Sequence, residues 1–212
     1  MFKTFNRRDA ARLALFAPLA ALAAGTSLRA FGQQMPPDLD TLFGSPETPT
    51  FGPEDADVTI AAFLDYNCPF CKLSAPHFKA LRESDPKIKV IFKDWPILTP
   101  ASVTGAQQAL AAHRQGEYLA AHDALMAIPG TGASPEDMRA ALEASPVDMA
   151  AGDATLASEG AALLDQLRTT LDQADEAGIT GTPAWFIGPY FVGGALDLAQ
   201  FEDAVAQARA AA

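Results

Sequence analysis

The apolar runs of this 212-residue chain predict an α/β fold: a βαβ unit, an all-helical insertion, then a ββα unit that rejoins the first. Three observations carry the prediction. Val58-Thr59-Ile60-Ala61-Ala62-Phe63-Leu64 is nearly continuous and apolar, as in a strand buried on both faces, and Ile88-Lys89-Val90-Ile91-Phe92 alternates like a second strand. Between them the period is helical, with Leu73, Phe78 and Leu81 on one side. Near the C-terminus, Ala184–Ile187 and Tyr190–Val192 flank Gly188-Pro189 and read as a hairpin.

The other segments follow in order. Residues 35–55 hold Met35-Pro36-Pro37, Ser45-Pro46, Thr48-Pro49 and Gly52-Pro53, and read as a flexible N-terminal arm. Strand, helix and strand over 56–98 imply a parallel pair with a right-handed crossover. The insertion, 99–177, is Ala-rich, with helices expected near 101–115, 117–127, 134–144 and 155–177. Ser134-Pro135-Glu136-Asp137 is a clear start: an N-cap, proline at the first helical position, then acids. Residues 178–212 supply the hairpin and a last helix over 197–210, which complete the compact unit begun by 56–98.

Residues 1–34 read as an export signal. Lys3, Arg7, Arg8 and Arg12 precede the apolar run Leu13–Ala24, which Pro18 interrupts and which is shorter than the roughly 20 residues of a membrane span. The Arg7-Arg8 pair suggests a twin-arginine signal, although no bulky apolar residue follows it directly, so Sec export is the alternative. Cleavage after Ala23 and after Ala30 both fit. The whole chain carries 15 Lys+Arg against 26 Asp+Glu. Without 1–34, 10 bases face 25 acids, a net −15. Such a surface argues against nucleic acid and anionic membranes as partners.

The chemistry-bearing feature is Cys68-Pro69-Phe70-Cys71, which holds the chain's two cysteines. It follows a buried strand and opens a helix, whose N-terminal N–H groups and positive dipole end favour a thiolate. Cys68 is therefore expected to be the exposed nucleophile, with a pKa of roughly 3.5–7.5 instead of about 8.5. Cys71, one turn inside, is expected to resolve a mixed disulfide. Pro69 suits the first turn, where its missing N–H costs nothing. A purely structural disulfide is a poor alternative: a four-residue loop gives about 2 kcal/mol, against about 4.7 for a 100-residue loop. Structural zinc wants four ligands, whereas of His77, His113 and His122 the last two fall in the helical insertion. The histidines read as surface or packing residues, and Met126, Met138 and Met149 as core fillers. Thr182-Pro183, just before a strand, leaves cis and trans both open on local sequence.

Phe63-Leu64-Asp65-Tyr66-Asn67-Cys68-Pro69-Phe70-Cys71-Lys72 resembles the strand and active-site signature of the DsbA-like thiol–disulfide oxidoreductases, which include BdbD- and ScsC-type proteins, in the thioredoxin superfamily. Phe92-Lys93-Asp94-Trp95-Pro96-Ile97 resembles that family's second-strand exit, and Gly181-Thr182-Pro183-Ala184-Trp185-Phe186-Ile187-Gly188 its cis-proline segment. The resemblance covers about residues 52–210. It implies a thioredoxin-like fold, a cis Pro183 facing Cys68, and a Thr182 backbone that binds an extended substrate peptide by strand addition. It also implies no cofactor and no bound metal.

Two departures matter. A buried glutamate is common in this family's first strand; six residues before Cys68 stands Ala62, so proton movement at Cys71 falls to another group, water or Asp65. The family's strongest oxidants carry histidine between the cysteines; Phe70 donates neither a hydrogen bond nor a charge, which predicts a less depressed Cys68 pKa and a less oxidising disulfide. The expected function is disulfide formation in exported proteins in the periplasm. The expected partners are reduced or misoxidised polypeptides and a DsbB-like or DsbD-like membrane protein. The arm lacks helical periodicity, so a monomer is expected. The alternatives are an isomerase or reductase of the same fold, or a Cu(I)-binding thiol protein.

Overall fold

The computed structural model describes residues 38–211; the expected export signal lies outside them. Seven helices and five strands run in the order α1 (Leu39–Phe43), β1 (Thr50–Phe51), β2 (Val58–Leu64), α2 (Pro69–Ser84), β3 (Ile88–Asp94), α3 (Pro100–His113), α4 (Tyr118–Met126), α5 (Pro135–Glu143), α6 (Met149–Glu176), β4 (Ala184–Ile187), β5 (Tyr190–Gly193) and α7 (Leu198–Ala210). The sheet order is β1-β3-β2-β4-β5. β2 and β3 are parallel, with Val58 opposite Ile88 and Leu64 opposite Asp94. β4 runs antiparallel to β2, as β5 does to β4. This is the thioredoxin-like α/β architecture, with helices α3–α6 between its βαβ and ββα parts.

The two-residue period of the strands divides the core. Ile60, Ala62, Leu64 and Phe92 face one way, against Phe78 and Leu81 of α2, the helical block and Phe201 of α7. The Phe78 ring lies 4.9 Å from that of Trp185 and 5.3 Å from that of Phe201. Ala61, Phe63 and Ile91 face the other way, with Trp95 and Phe186, against Leu39 and Phe43 of α1 and Ala174 of α6. Both tryptophans are therefore core residues.

Three expectations need correction. The described part of the arm is docked, not loose: Asp38 caps α1, Leu39 and Phe43 are buried, and β1 adds an antiparallel edge strand to β3. Its prolines hid two apolar anchors too short to show a period. Helix α6 starts at Met149, because Asp148 accepts a hydrogen bond from the Ala151 N–H. Gly152, early in that helix, masked the start. Leu73 does not join Phe78 and Leu81 inside; it lies on the outer face of α2 and is 61% exposed.

Candidate active site

Cys68 is the N-cap of α2. Its extended backbone (φ −78°, ψ 119°) turns Sγ back over the first turn, where it accepts from the Cys71 N–H at 3.4 Å. Pro69 follows at the start of the helix, and no acid stands in the first turn to oppose an anion. The opposite wall comes from the far end of the chain. The Thr182–Pro183 peptide is cis, and the Thr182 carbonyl accepts from Cys68 Sγ at 3.3 Å. Both cysteines are free thiols.

The two sulfurs are driven in opposite directions. Cys68 is lowered to about 6, first by a hydrogen bond from the Cys71 thiol, with burial opposing; the Thr182 side chain and the backbone N–H groups of Cys71 and Phe70 add to the lowering. Cys71 is pushed far above the usual thiol range, chiefly by burial and then by its bond and proximity to Cys68. The expectation of an exposed Cys68 is not met. It keeps only 3% of its surface, against 1% for Cys71, because the Thr182 carbonyl lies over it. It is still the shallower sulfur, since burial dominates Cys71 and is outweighed at Cys68.

Cys68, Cys71 and Thr182 thus converge, and Pro183 is buried directly behind Thr182. Phe70 shares the first turn, but its ring is 58% exposed. Thr182 Oγ1 is buried with no hydrogen-bond partner in the thiol form, which leaves it free to serve a thiolate.

Two neighbours of the motif do work that its residue types alone did not reveal. Asp65 is not a free proton acceptor. One carboxylate oxygen takes the Asn67 N–H (2.7 Å) and the Ser102 hydroxyl (2.8 Å); the other takes the N–H groups of Ile97 (2.9 Å) and Leu98 (3.0 Å). Asn67 donates to Thr99 Oγ1 and to the Ala133 carbonyl, and accepts from the Ala133 N–H at 2.8 Å. Asp65 and Asn67 therefore pin the loop that precedes Cys68 to the start of α3 and to the α4–α5 loop. The Asp-x-Asn spacing is a local signal for such an Asx turn.

Beneath the site, on the Ala62 face of the sheet, lies a buried polar cluster. Tyr118 Oη donates to both oxygens of Asp94 at 3.1 Å, and Tyr66 Oη lies 3.2 Å from His122 Nδ1. Burial raises Asp94 to about 7, against the lowering bonds of Tyr66 and Tyr118, and depresses His122 to about 3, so that it is neutral. Asp94 continues the inward-facing two-residue period of Val90 and Phe92, which was the available sign of it. His113 packs on Phe51 and Tyr118. His77 is half-buried, Met126 and Met138 are buried, and Met149 packs at the core's edge. Among the described residues no group of three or more His, Cys, Asp or Glu side chains is placed to hold a metal.

A family model described as a DSBA-like thioredoxin domain matches residues 59–206. The chain belongs to this family. Solved structures similar to this chain agree. A thioredoxin-like oxidoreductase from Silicibacter pomeroyi is 32% identical, with a TM-score of 0.74 over 82% of this chain and 99% of that one. The thiol-disulfide exchange protein alpha-DsbA2 from Wolbachia pipientis is 28% identical, with a TM-score of 0.72 over 79% and 90% of the two chains. The catalytic domain of Proteus mirabilis ScsC is 29% identical, with a TM-score of 0.70 over 81% and 94%. The chain is thus a thiol–disulfide oxidoreductase of the DsbA-like family. Among curated proteins, a Na(+)/H(+) antiporter NhaA from Salinispora arenicola is 28% identical over 138 residues, which is 64% of this chain. This chain spans about a fifth of the length of such relatives (21% of that one). Among the described residues, no helix is long and apolar enough to cross a membrane.

Proposed function

We propose that this DsbA-like protein forms disulfides in exported polypeptides through Cys68 and Cys71. The observation that carries the reading is the split between the thiols, Cys68 lowered to about 6 and Cys71 raised. A thiolate stabilised at Cys68 favours the reduced enzyme, so its disulfide tends to accept electrons. A substrate thiolate attacks Cys68 Sγ of the enzyme disulfide, and Cys71 leaves and takes up a proton in its buried site. A second substrate thiolate then attacks the substrate sulfur of the mixed disulfide, and Cys68 departs as a stable thiolate. The substrate dithiol loses two electrons and two protons; the enzyme takes both electrons and one proton, on Cys71, and the other proton passes to water. A membrane partner of DsbB-like type returns the enzyme to the disulfide. No cofactor enters.

Thr182 and Pro183 are the proposed peptide-binding edge, since they lie against the reacting sulfur; the incoming strand displaces the Cys68–Thr182 bond. Phe70 offers an apolar contact at the rim. Export to the periplasm rests on the basic and apolar pattern of residues 1–34. It is supported by the likeness to a periplasmic thioredoxin-like protein of Salmonella enterica.

The test is trapping. Cys71→Ala, expressed in its own cell envelope, accumulates mixed disulfides through Cys68 with reduced secreted proteins, and the oxidised wild type oxidises an unfolded dithiol protein. Absence of adducts, or a Cys68 thiol that stays protonated at neutral pH, removes the reading. Copper titration of the reduced protein separates it from Cu(I) carriage.

A further inference from the structure

The buried stripe of α2 is Cys71, Ser74, Phe78 and Leu81, so Ser74, one turn beyond Cys71, is its only hydroxyl. Serine is a poorer residue than alanine in a helix interior, and a buried hydroxyl needs a partner. The partner is the Leu196 N–H, which donates to Ser74 Oγ at 2.8 Å from 122 positions away. Leu196 is itself buried and lies in the bend between β5 and α7. The same bend holds the cis-proline peptide. The Gly194 N–H donates to the Pro183 carbonyl at 2.9 Å, and the Gly194 carbonyl accepts from Trp185 Nε1 at 3.0 Å. Gly194 makes the turn at φ +95°, a conformation that favours glycine. Trp185 packs in turn against the rings of Phe78 and Phe201, each 4.9 Å away. The other side of the peptide is held less: among the described residues, no backbone-to-backbone hydrogen bond anchors 180–182. Two paths therefore join α2 to the wall that faces the nucleophile. One is the Cys68–Thr182 bond at 3.3 Å, which an incoming strand displaces. The other runs through Ser74, Leu196, Gly194 and Pro183 and includes no reacting atom.

We propose that Ser74 is a positioning residue of the active site: its hydroxyl ties the cysteine helix to the Gly194 bend and so keeps the Thr182–Pro183 peptide in place against Cys68 while the direct Cys68–Thr182 bond is open. The inference rests on the exchange reaction proposed above and adds a residue that acts on it through Thr182. Without Ser74 Oγ, the buried Leu196 N–H loses its acceptor and the bend turns to find another. Pro183, hydrogen-bonded to Gly194, moves with it. Thr182 Oγ1, which has no other partner, then spends less time within reach of the Cys68 thiolate.

The test is the titration of Cys68 in the full reduced protein, followed by thiolate ultraviolet absorbance and by the pH profile of its attack on a small aromatic disulfide. Ser74→Ala is expected to raise the midpoint by roughly half a pH unit in both readouts, because the thiolate loses part of its contact with Oγ1. Gly194→Ala moves it the same way by another route: it strains the bend at φ +95°, while the added methyl meets no atom within 4 Å. In a Thr182→Val background Ser74→Ala adds no shift, since its effect passes through Oγ1. Thr170→Val, which removes a buried hydroxyl of α6 outside this path, leaves the midpoint at the wild-type value. Unmoved midpoints in Ser74→Ala and Gly194→Ala would overturn the proposal. So would a Ser74→Ala shift that is equal with and without Thr182 Oγ1, or one that Thr170→Val reproduces. Gly194→Ala, alone and with Thr182→Val, decides in the same way if Ser74→Ala does not fold. A wild type that oxidises no dithiol peptide while the shifts appear would instead remove the exchange reading and leave the role of Ser74 standing.

Discussion

Cys68 and Cys71 stand one turn apart on one helix and differ in what surrounds them. The first turn exposes N–H donors and receives a thiol and a threonine side chain, so Cys68 is lowered to about 6. One turn deeper the donors are spent inside the helix, burial takes over, and Cys71 rises. Asp94, on the same buried side of the sheet, extends the series: burial again dominates, although two tyrosines oppose it. A helix N-terminus thus stabilises an anion only within its first turn. Depth decides the rest.

The most disruptive way to break the comparison is Cys71→Ala. It removes the hydrogen bond that lowers Cys68 most and the chain's only other thiol, the resolving group of the proposed exchange. Turnover should fall to background, with the enzyme held as a mixed disulfide. The Cys68 titration, followed by thiolate ultraviolet absorbance, should move upward from about 6.

Asp94→Asn probes the depth effect alone. The folded pKa of Asp94 is raised to about 7, above the unfolded value of roughly 3.9. Its contribution to stability is therefore fully present below pH ~4, lost as pH rises from ~4 through ~7, and constant above. Denaturant unfolding should show the wild type losing roughly 2–4 kcal/mol relative to the variant across that window. A pH-independent difference would mean that Asp94 ionises freely.

Phe70→His sharpens the first-turn half. A histidine adds a donor and a partial positive charge next to Cys68, so the pKa should fall by about one unit and the disulfide become more oxidising in a glutathione equilibrium. An unchanged or higher pKa would defeat the argument that residue 70 tunes the sulfur. The smallest effect expected is from Thr182→Val, which keeps the shape and the backbone carbonyl but removes Oγ1. That group contributes less than the Cys71 thiol. The Cys68 pKa should rise by a fraction of the Cys71→Ala shift, with stability nearly unchanged, because the hydroxyl has no other partner.

Much of this was legible in residue order. Val58–Leu64 and Ile88–Phe92 are apolar enough to be central strands, and Ser134-Pro135 marks α5 where it occurs. The Cys68–Cys71 spacing implies its own geometry, since a helix turn brings residues i and i+3 together. The arm misled because α1 and β1 are five and two residues long, below any detectable period. Leu73 misled because helical spacing admits both faces near its boundary. Asp65 looked like a proton acceptor because its four donors come from residues 67, 97, 98 and 102, three of them more than thirty positions away.

By itself, then, the sequence determined most of the elements, their order and the close spacing of the two cysteines, because periodicity, caps and proline act over a few residues. Only the tertiary structure decided which sulfur is stabilised by how much, that Thr182 closes over Cys68 from 114 positions away, and that Asp65 and Asn67 are clamps. The physical reason is range. Burial and hydrogen bonding are set by whichever residues meet in space, and those partners come from segments that no local pattern connects.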